Sequence, residues 1–230
     1  MVDEFLNQDE IDALLSGSPD GNGGLSREDL AVLGEVSGIM ATAAGNVIGM
    51  LAGRDVSADG AEHFEIPQSE MVSKIEGEKV FTYSMILNGL DGTPARLLAG
   101  ERGALILADL MMGGDAKELP AEANDLYLSA AQEGLSQFMG SALTSLSGFL
   151  GGARLSADES AASLEDAAGW LPFSNLSGDT PIWVGKIDLN VEGVDPFSLD
   201  IAFPVSGAAN LAAKIREATA PKEEAPAEMP

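Results

Sequence analysis

Residues Leu128–Leu150, LSAAQEGLSQFMGSALTSLSGFL, have a near-copy at Leu30–Ala52, and no other feature limits the possible folds of this 230-residue chain as strongly. Superposing Glu133 on Glu35 also places Ser129 on Ala31, Ser136 on Gly38 and Ala142 on Ala44. One residue further in register, Leu155-Ser156-Ala157-Asp158 falls on Val56-Ser57-Ala58-Asp59, so the repeat distance is 98 to 99 residues. The chain therefore reads as a duplication, with halves at 26–118 and 119–217. An α/β body is expected in which two pseudo-symmetric halves share one sheet and each contributes a long helix.

Local signals place the elements. Ser26 followed by Asp29 is an N-cap pattern, and a helix should run from about Arg27 to Ala52. Along it Gly34, Gly38, Ala41, Gly45, Gly49 and Ala52 fall in one stripe at 100° per residue. Glycine is costly inside a helix, so the stripe implies tight packing onto the sheet or the sister helix. Strands are expected near Glu62–Pro67, Val80–Asn88 and Ala95–Ala99, with Leu90-Asp91-Gly92-Thr93 as a turn. A helix over Glu101–Met112 and the breaker Gly113-Gly114 close the first half. In the second half Pro120 leads into a helix to about Leu150. Strands follow near Pro181–Val191 and Phe197–Phe203, and a helix spans Ser206–Ala218. The counterpart of the first strand should lie within Ala153–Asn175, but Ala161–Leu171 reads as helix or loop.

The two ends differ from this body. Asn7 is placed to cap a short helix with Glu10 three residues on, and Ile11, Leu14 and Leu15 then share a face. Under three turns long, such a helix is unstable alone and should order when its apolar face meets a groove. Residues 17–25, rich in Gly, Ser, Asn and Pro, read as a flexible linker with a reach of roughly 15–18 Å. At that length a partner held by residues 1–16 would sit near the body at about millimolar effective concentration. Residues 218–230, rich in Pro, Ala and Glu, read as a disordered tail.

Composition narrows the function classes. A net charge of −25 opposes binding to a nucleic-acid backbone. There is no cysteine, and His63 is alone, so thiolate metal sites and histidine-based chemistry are not expected. The acidic start MVDEFLNQDE lacks a basic n-region, and no uninterrupted apolar run approaches a membrane span, which reads as a protein of the cytoplasm without a transmembrane segment.

Three stretches carry a family resemblance: the run at Leu128–Leu150 with LADLMMGGD before it (Leu107–Asp115), and LGEVSGIMATAAGNVIGML (Leu33–Leu51). They resemble the CheC/FliY family of chemotaxis phosphatases, most closely the middle domain of FliY. Phe5–Gly17, FLNQDEIDALLSG, resembles the peptide with which FliM and FliY capture phosphorylated CheY. The resemblance implies partner contacts from Phe5, Leu6, Gln8, Glu10, Ile11, Leu14 and Leu15. It further implies flagellar switch partners of the FliM, FliN and FliG type and a place at the cytoplasmic face of the flagellar basal body. In FliY such a tail leads into a FliN-like domain; here that part is either cut away or a separate chain.

The family speeds hydrolysis of the aspartyl phosphate on CheY with a helix motif of Asp or Ser, then Glu four residues on, then Asn three further. That spacing puts all three on one face. The acid pairs with a CheY lysine and the Asn amide positions water. No cofactor of the chain's own is implied, since the Mg²⁺ belongs to the CheY pocket. Here the second site reads Ser129, Glu133, Ser136 and the first Ala31, Glu35, Gly38, so both acids stay and both amides are gone. Gly38 offers water nothing and belongs to the packing stripe, which predicts an inert first site. Ser136 can hold a water but is shorter than Asn, and a displacement of about 1 Å can cost on the order of a hundredfold in rate. Gln137 lies about 100° around the helix from Ser136, and the family already has a Gln there beside its Asn, so it reads as a weak substitute. Two functions follow: a switch-associated protein that recruits phosphorylated CheY with phosphatase activity weak or lost, or a working CheY phosphatase using the second site.

Overall fold

The structure, a computed structural model, describes residues 24–75 and 77–220. The expected capture peptide at 1–16, most of the expected linker at 17–25 and residues 221–230 lie outside the described residues. At both borders the body extends further than the sequence suggests. Leu25 belongs to it, packing on the core and donating its N–H to Glu65 at 2.8 Å. At the other end the last helix runs through Ala218 to Thr219, so these two residues are not tail.

The first helix, α1 (Arg27–Ala52), starts on a complete capping box. The Ser26 hydroxyl accepts from the Asp29 N–H at 3.0 Å, and the Asp29 carboxylate accepts from the Ser26 N–H at 3.2 Å. It stops at Gly53, whose φ of +60° suits glycine. By length and hydropathy α1 is able to cross a membrane, but Leu33, Val36, Met40, Ala44 and Ile48 are buried in the main core.

Then come β1 (Val56–Asp59), β2 (His63–Pro67), the one-turn α2 (Gln68–Met71), β3 (Lys79–Asn88), β4 (Thr93–Gly100) and α3 (Glu101–Met111). The second half supplies α4 (Asp125–Ser147), β5 (Ser156–Asp166), β6 (Pro181–Val191), β7 (Phe197–Pro204) and α5 (Val205–Thr219). One antiparallel sheet contains all seven strands in the order β1-β6-β7-β4-β3-β5, with β2 following β1 along the same side of β6. The pseudo-twofold passes between β4 and β7, where Leu97 faces Ile201.

The halves exchange strands. β1 and β2 of the first half pair with β6 of the second, and β5 of the second pairs with β3 of the first. Helices α3, α4, α1 and α5 pack in that order, so each long helix also touches the other half's closing helix. The main core fills the space between helices and sheet.

Two strands differ from the sequence expectation. β1, four residues of VSAD, was not expected as a strand, and β5 runs through Ala161–Asp166, where helix or loop was expected. SADESAASLED has little strand propensity and is almost wholly exposed. Its conformation comes from the backbone ladder to β3, which neighbouring strands impose against local preference. A bulge opposite Ser84–Ile86 interrupts that ladder, and Glu159 there has φ +50°.

On the other sheet face a smaller cluster of Ile66, Val72, Leu98, Phe173, Ile182 and Val184 is covered by α2 and the loop after β5. Gln68 is buried between these two covers. Its amide donates to the carbonyls of Ser177 at 2.8 Å, Leu176 at 3.1 Å and Phe173 at 3.3 Å, and accepts from the Phe173 N–H at 3.0 Å. Gln68→Ala leaves these backbone groups without their partner and should cost about 2–3 kcal/mol, read from urea unfolding. A midpoint equal to wild type would mean that water replaces the amide without loss.

Candidate functional site

Both motif faces point outward. On α1, Ala31, Glu35 and Gly38 are exposed, and on α4 so are Ser129, Glu133 and Ser136. Each set lies along one side of its helix because residues four and seven apart recur on the same face. The surroundings of the two sets differ.

Helix α1 lies tight against β1 and β2, and its small residues permit this. A Cβ on Gly34 would come within 2.9 Å of the His63 ring, and one on Gly45 within 3.2 Å of the Ala58 Cβ. Gly60 approaches Ala41 so closely that its own Cβ would lie 2.7 Å away. The stripe therefore packs on the edge strand of the sheet. Gly38 is the exception, with open space where its side chain would be. Its absent amide thus leaves a bare surface beside Glu35, and Gly38 is not a packing residue as the stripe suggested.

Helix α4 stands off β5. In the repeat register the bulkier Gln132, Met139 and Leu143 take the places of Gly34, Ala41 and Gly45, and open space remains between the helix and the strand. Two grooves result. One, of about 320 Å³, is lined by Tyr83, Ser136, Gly140, Thr144, Arg154 and Ser160 among others. The second, of about 250 Å³, is lined by Phe81, Asp125, Leu128, Ser129, Gln132 and Ser163 among others. Ser129 and Ser136 each reach a groove rim, and Glu133 lies between them on the helix crest.

One contact on this face escaped the sequence reading. The Gln137 side-chain amide donates to the Glu133 carboxylate, Nε2 to Oε1, at 2.9 Å, and both residues are exposed. Gln137 lies about 100° around the helix from Ser136. Measured from Glu133 it is one turn on, the spacing at which side chains meet. The first half has Ile39 at that position. Among the described residues no group of three His, Cys, Asp or Glu side chains is placed to hold a metal ion.

No family model matches the sequence. The chain is 31% identical over 156 residues to the flagellar motor switch phosphatase FliY of Bacillus subtilis (strain 168), covering 64% of this chain and 41% of that protein. It thus spans less than half of that relative's length. The crystal structure of Thermotoga maritima FliY matches with a TM-score of 0.75 at 21% identity, over 85% of this chain and 99% of that one. The FliM structure from the FliG–FliM complex of H. pylori matches with a TM-score of 0.64 at 14% identity, over 82% of this chain and 100% of that one.

Proposed function

We propose, from the premise that the chain belongs to the CheC/FliY family, that it is a flagellar motor switch-associated protein that recruits phosphorylated CheY. Residues 1–16 are the capture element, and the exposed face of α4 is the second contact. The observation that carries this reading is the asymmetry of the two halves. Glu133 stands on an open crest between two grooves, ready to receive a lysine of the docked partner, whereas α1 is closed down on its strand. Charge supports partner capture by residues 1–16. Residues 1–23 hold six carboxylates and no lysine or arginine, in a chain of net charge −25. FliG is the partner of the structurally similar FliM from H. pylori. By analogy the same cytoplasmic switch assembly, with FliM, FliN and FliG-type proteins, is this chain's working place. The Mg²⁺ needed for phosphoryl chemistry belongs to CheY.

Deleting residues 1–16 should lower affinity for phosphorylated CheY at least tenfold in titration calorimetry while leaving thermal unfolding unchanged. Equal affinity after the deletion would rule out the peptide as the capture element.

A second reading is favoured by the Glu133–Gln137 contact: the α4 face is a working CheY phosphatase, the Bacillus subtilis relative being itself named a flagellar motor switch phosphatase. Phosphoryl transfer asks mainly for positioning and charge stabilisation, which a helix face supplies. Acceleration of phosphate loss from CheY by the full chain, abolished in Glu133→Ala, is the expected result under this reading. No acceleration by wild type means the recruiting function stands alone.

A further inference from the structure

We infer that Gln137 supplies the carboxamide that Ser136 lacks, and that it is the residue that holds the attacking water at the second site. This rests on the phosphatase reading of the α4 face. Three observations lead to it. Ser136 ends in a hydroxyl and cannot present a planar donor and acceptor together. The Gln137 amide is the carboxamide in contact with Glu133, at 2.9 Å. Ile39 takes its place in the first half, so the arrangement is confined to the helix that has grooves beside it.

The contact also orients the amide. With Nε2 donating to Glu133, the group's plane and direction are set, and its carbonyl oxygen Oε1 is left as a free acceptor for a water proton. Glu133 keeps its second oxygen, Oε2, for a partner cation, because a carboxylate accepts at both oxygens. One turn thus presents a site for the partner's lysine and a fixed acceptor for water side by side. Glutamine is one methylene longer than asparagine, so from one position further along the helix it still extends above the crest.

The step itself is hydrolysis. The water oxygen bonds to phosphorus, the bond from phosphorus to the aspartyl carboxyl oxygen breaks, and the carboxylate leaves with the electron pair. The water's protons end on inorganic phosphate. Gln137 accepts a hydrogen bond from the water and fixes its line of attack, and it neither gains nor loses a proton.

The test uses the full chain and CheY phosphorylated by acetyl phosphate, with phosphate release followed against CheY concentration. Gln137→Ala should lower kcat at least tenfold and leave KM within twofold, because Glu133 still binds the lysine. Helix stability is not threatened, since alanine is the better helix former at an exposed position. Gln137→Glu, isosteric but without the donor, should lose as much. Adding Ser136→Asn to Gln137→Ala should restore most of the rate by returning an amide to the crest. Activity of Gln137→Ala within twofold of wild type overturns the assignment while the phosphatase reading survives. Wild type with no activity overturns both.

Discussion

Cut at residue 118, neither half is expected to fold as a monomer. The fragment 24–118 would keep the β3–β4 hairpin but leave β1 and β2 unpaired, because β6, with which both pair among the described residues, lies in the other half. The fragment 119–220 would keep β6–β7 and leave β5 without β3. An isolated two-stranded hairpin is marginal in water. Each fragment would also expose its share of the joint between β4 and β7, where Leu97, Leu98, Ile201 and Ala202 are almost wholly buried. The predicted outcome is loss of the cooperative melt and of dispersed amide resonances in each fragment alone. Mixing the two should recover both, because the pairings are intermolecular once the connection is cut. A half that melts cooperatively at concentrations where it sediments as a monomer would disprove the dependence.

Asp200→Asn should stabilise the protein above pH 7 and lose this advantage in acid. Asp200 lies on β7 opposite Lys186 of β6 and Leu98 of β4, 7% exposed. Burial pushes its carboxyl up to about 7 from 3.8; nearby Lys186 pulls it down, and Asp188 and Glu62 push it up further. Lys186 pairs with those two acids at 3.1 Å and 3.5 Å, so it is not left alone when Asp200 is replaced. Between about pH 4 and pH 7 the folded chain holds a proton at Asp200 that the unfolded chain has released. Stability from this group is therefore complete below the unfolded value and is lost as pH rises through the folded one. Three pKa units correspond to about 4 kcal/mol, which sets the upper bound. Asparagine stays neutral throughout, so the variant should exceed wild type by about 2–4 kcal/mol at pH 8 and match it near pH 4. Urea titrations at pH 4, 6 and 8 measure the difference directly. An offset that is the same at all three would show that Asp200 does not titrate with folding.

The candidate site was legible in part. Its place on α4 was implied by the family resemblance, and the grouping of Ser129, Glu133 and Ser136 on one face follows from helical spacing. The partner of Glu133 is also only one turn away, at the spacing where side chains meet. The grooves were not legible, because they depend on how α4 sits against β5, a separate element that begins nine residues after the helix ends. The clue was present in the repeat register, where Gln132, Met139 and Leu143 replace Gly34, Ala41 and Gly45. Side-chain volume along the two copies predicts which helix can lie close to its strand.

What the amino-acid order determined alone is what local pattern encodes, the Ser26 capping box, the span of α1 and the turn at Leu90–Thr93, together with the internal repeat that makes the body twofold. Only the tertiary structure decided which strands pair. SADESAASLED becomes a strand because β3 offers an open row of backbone groups, and VSAD because β6 does. Local preference is worth a fraction of a kcal/mol per residue and is short-ranged. A ladder between residues some seventy to one hundred and thirty positions apart forms only after both halves have met, and it then outweighs that preference.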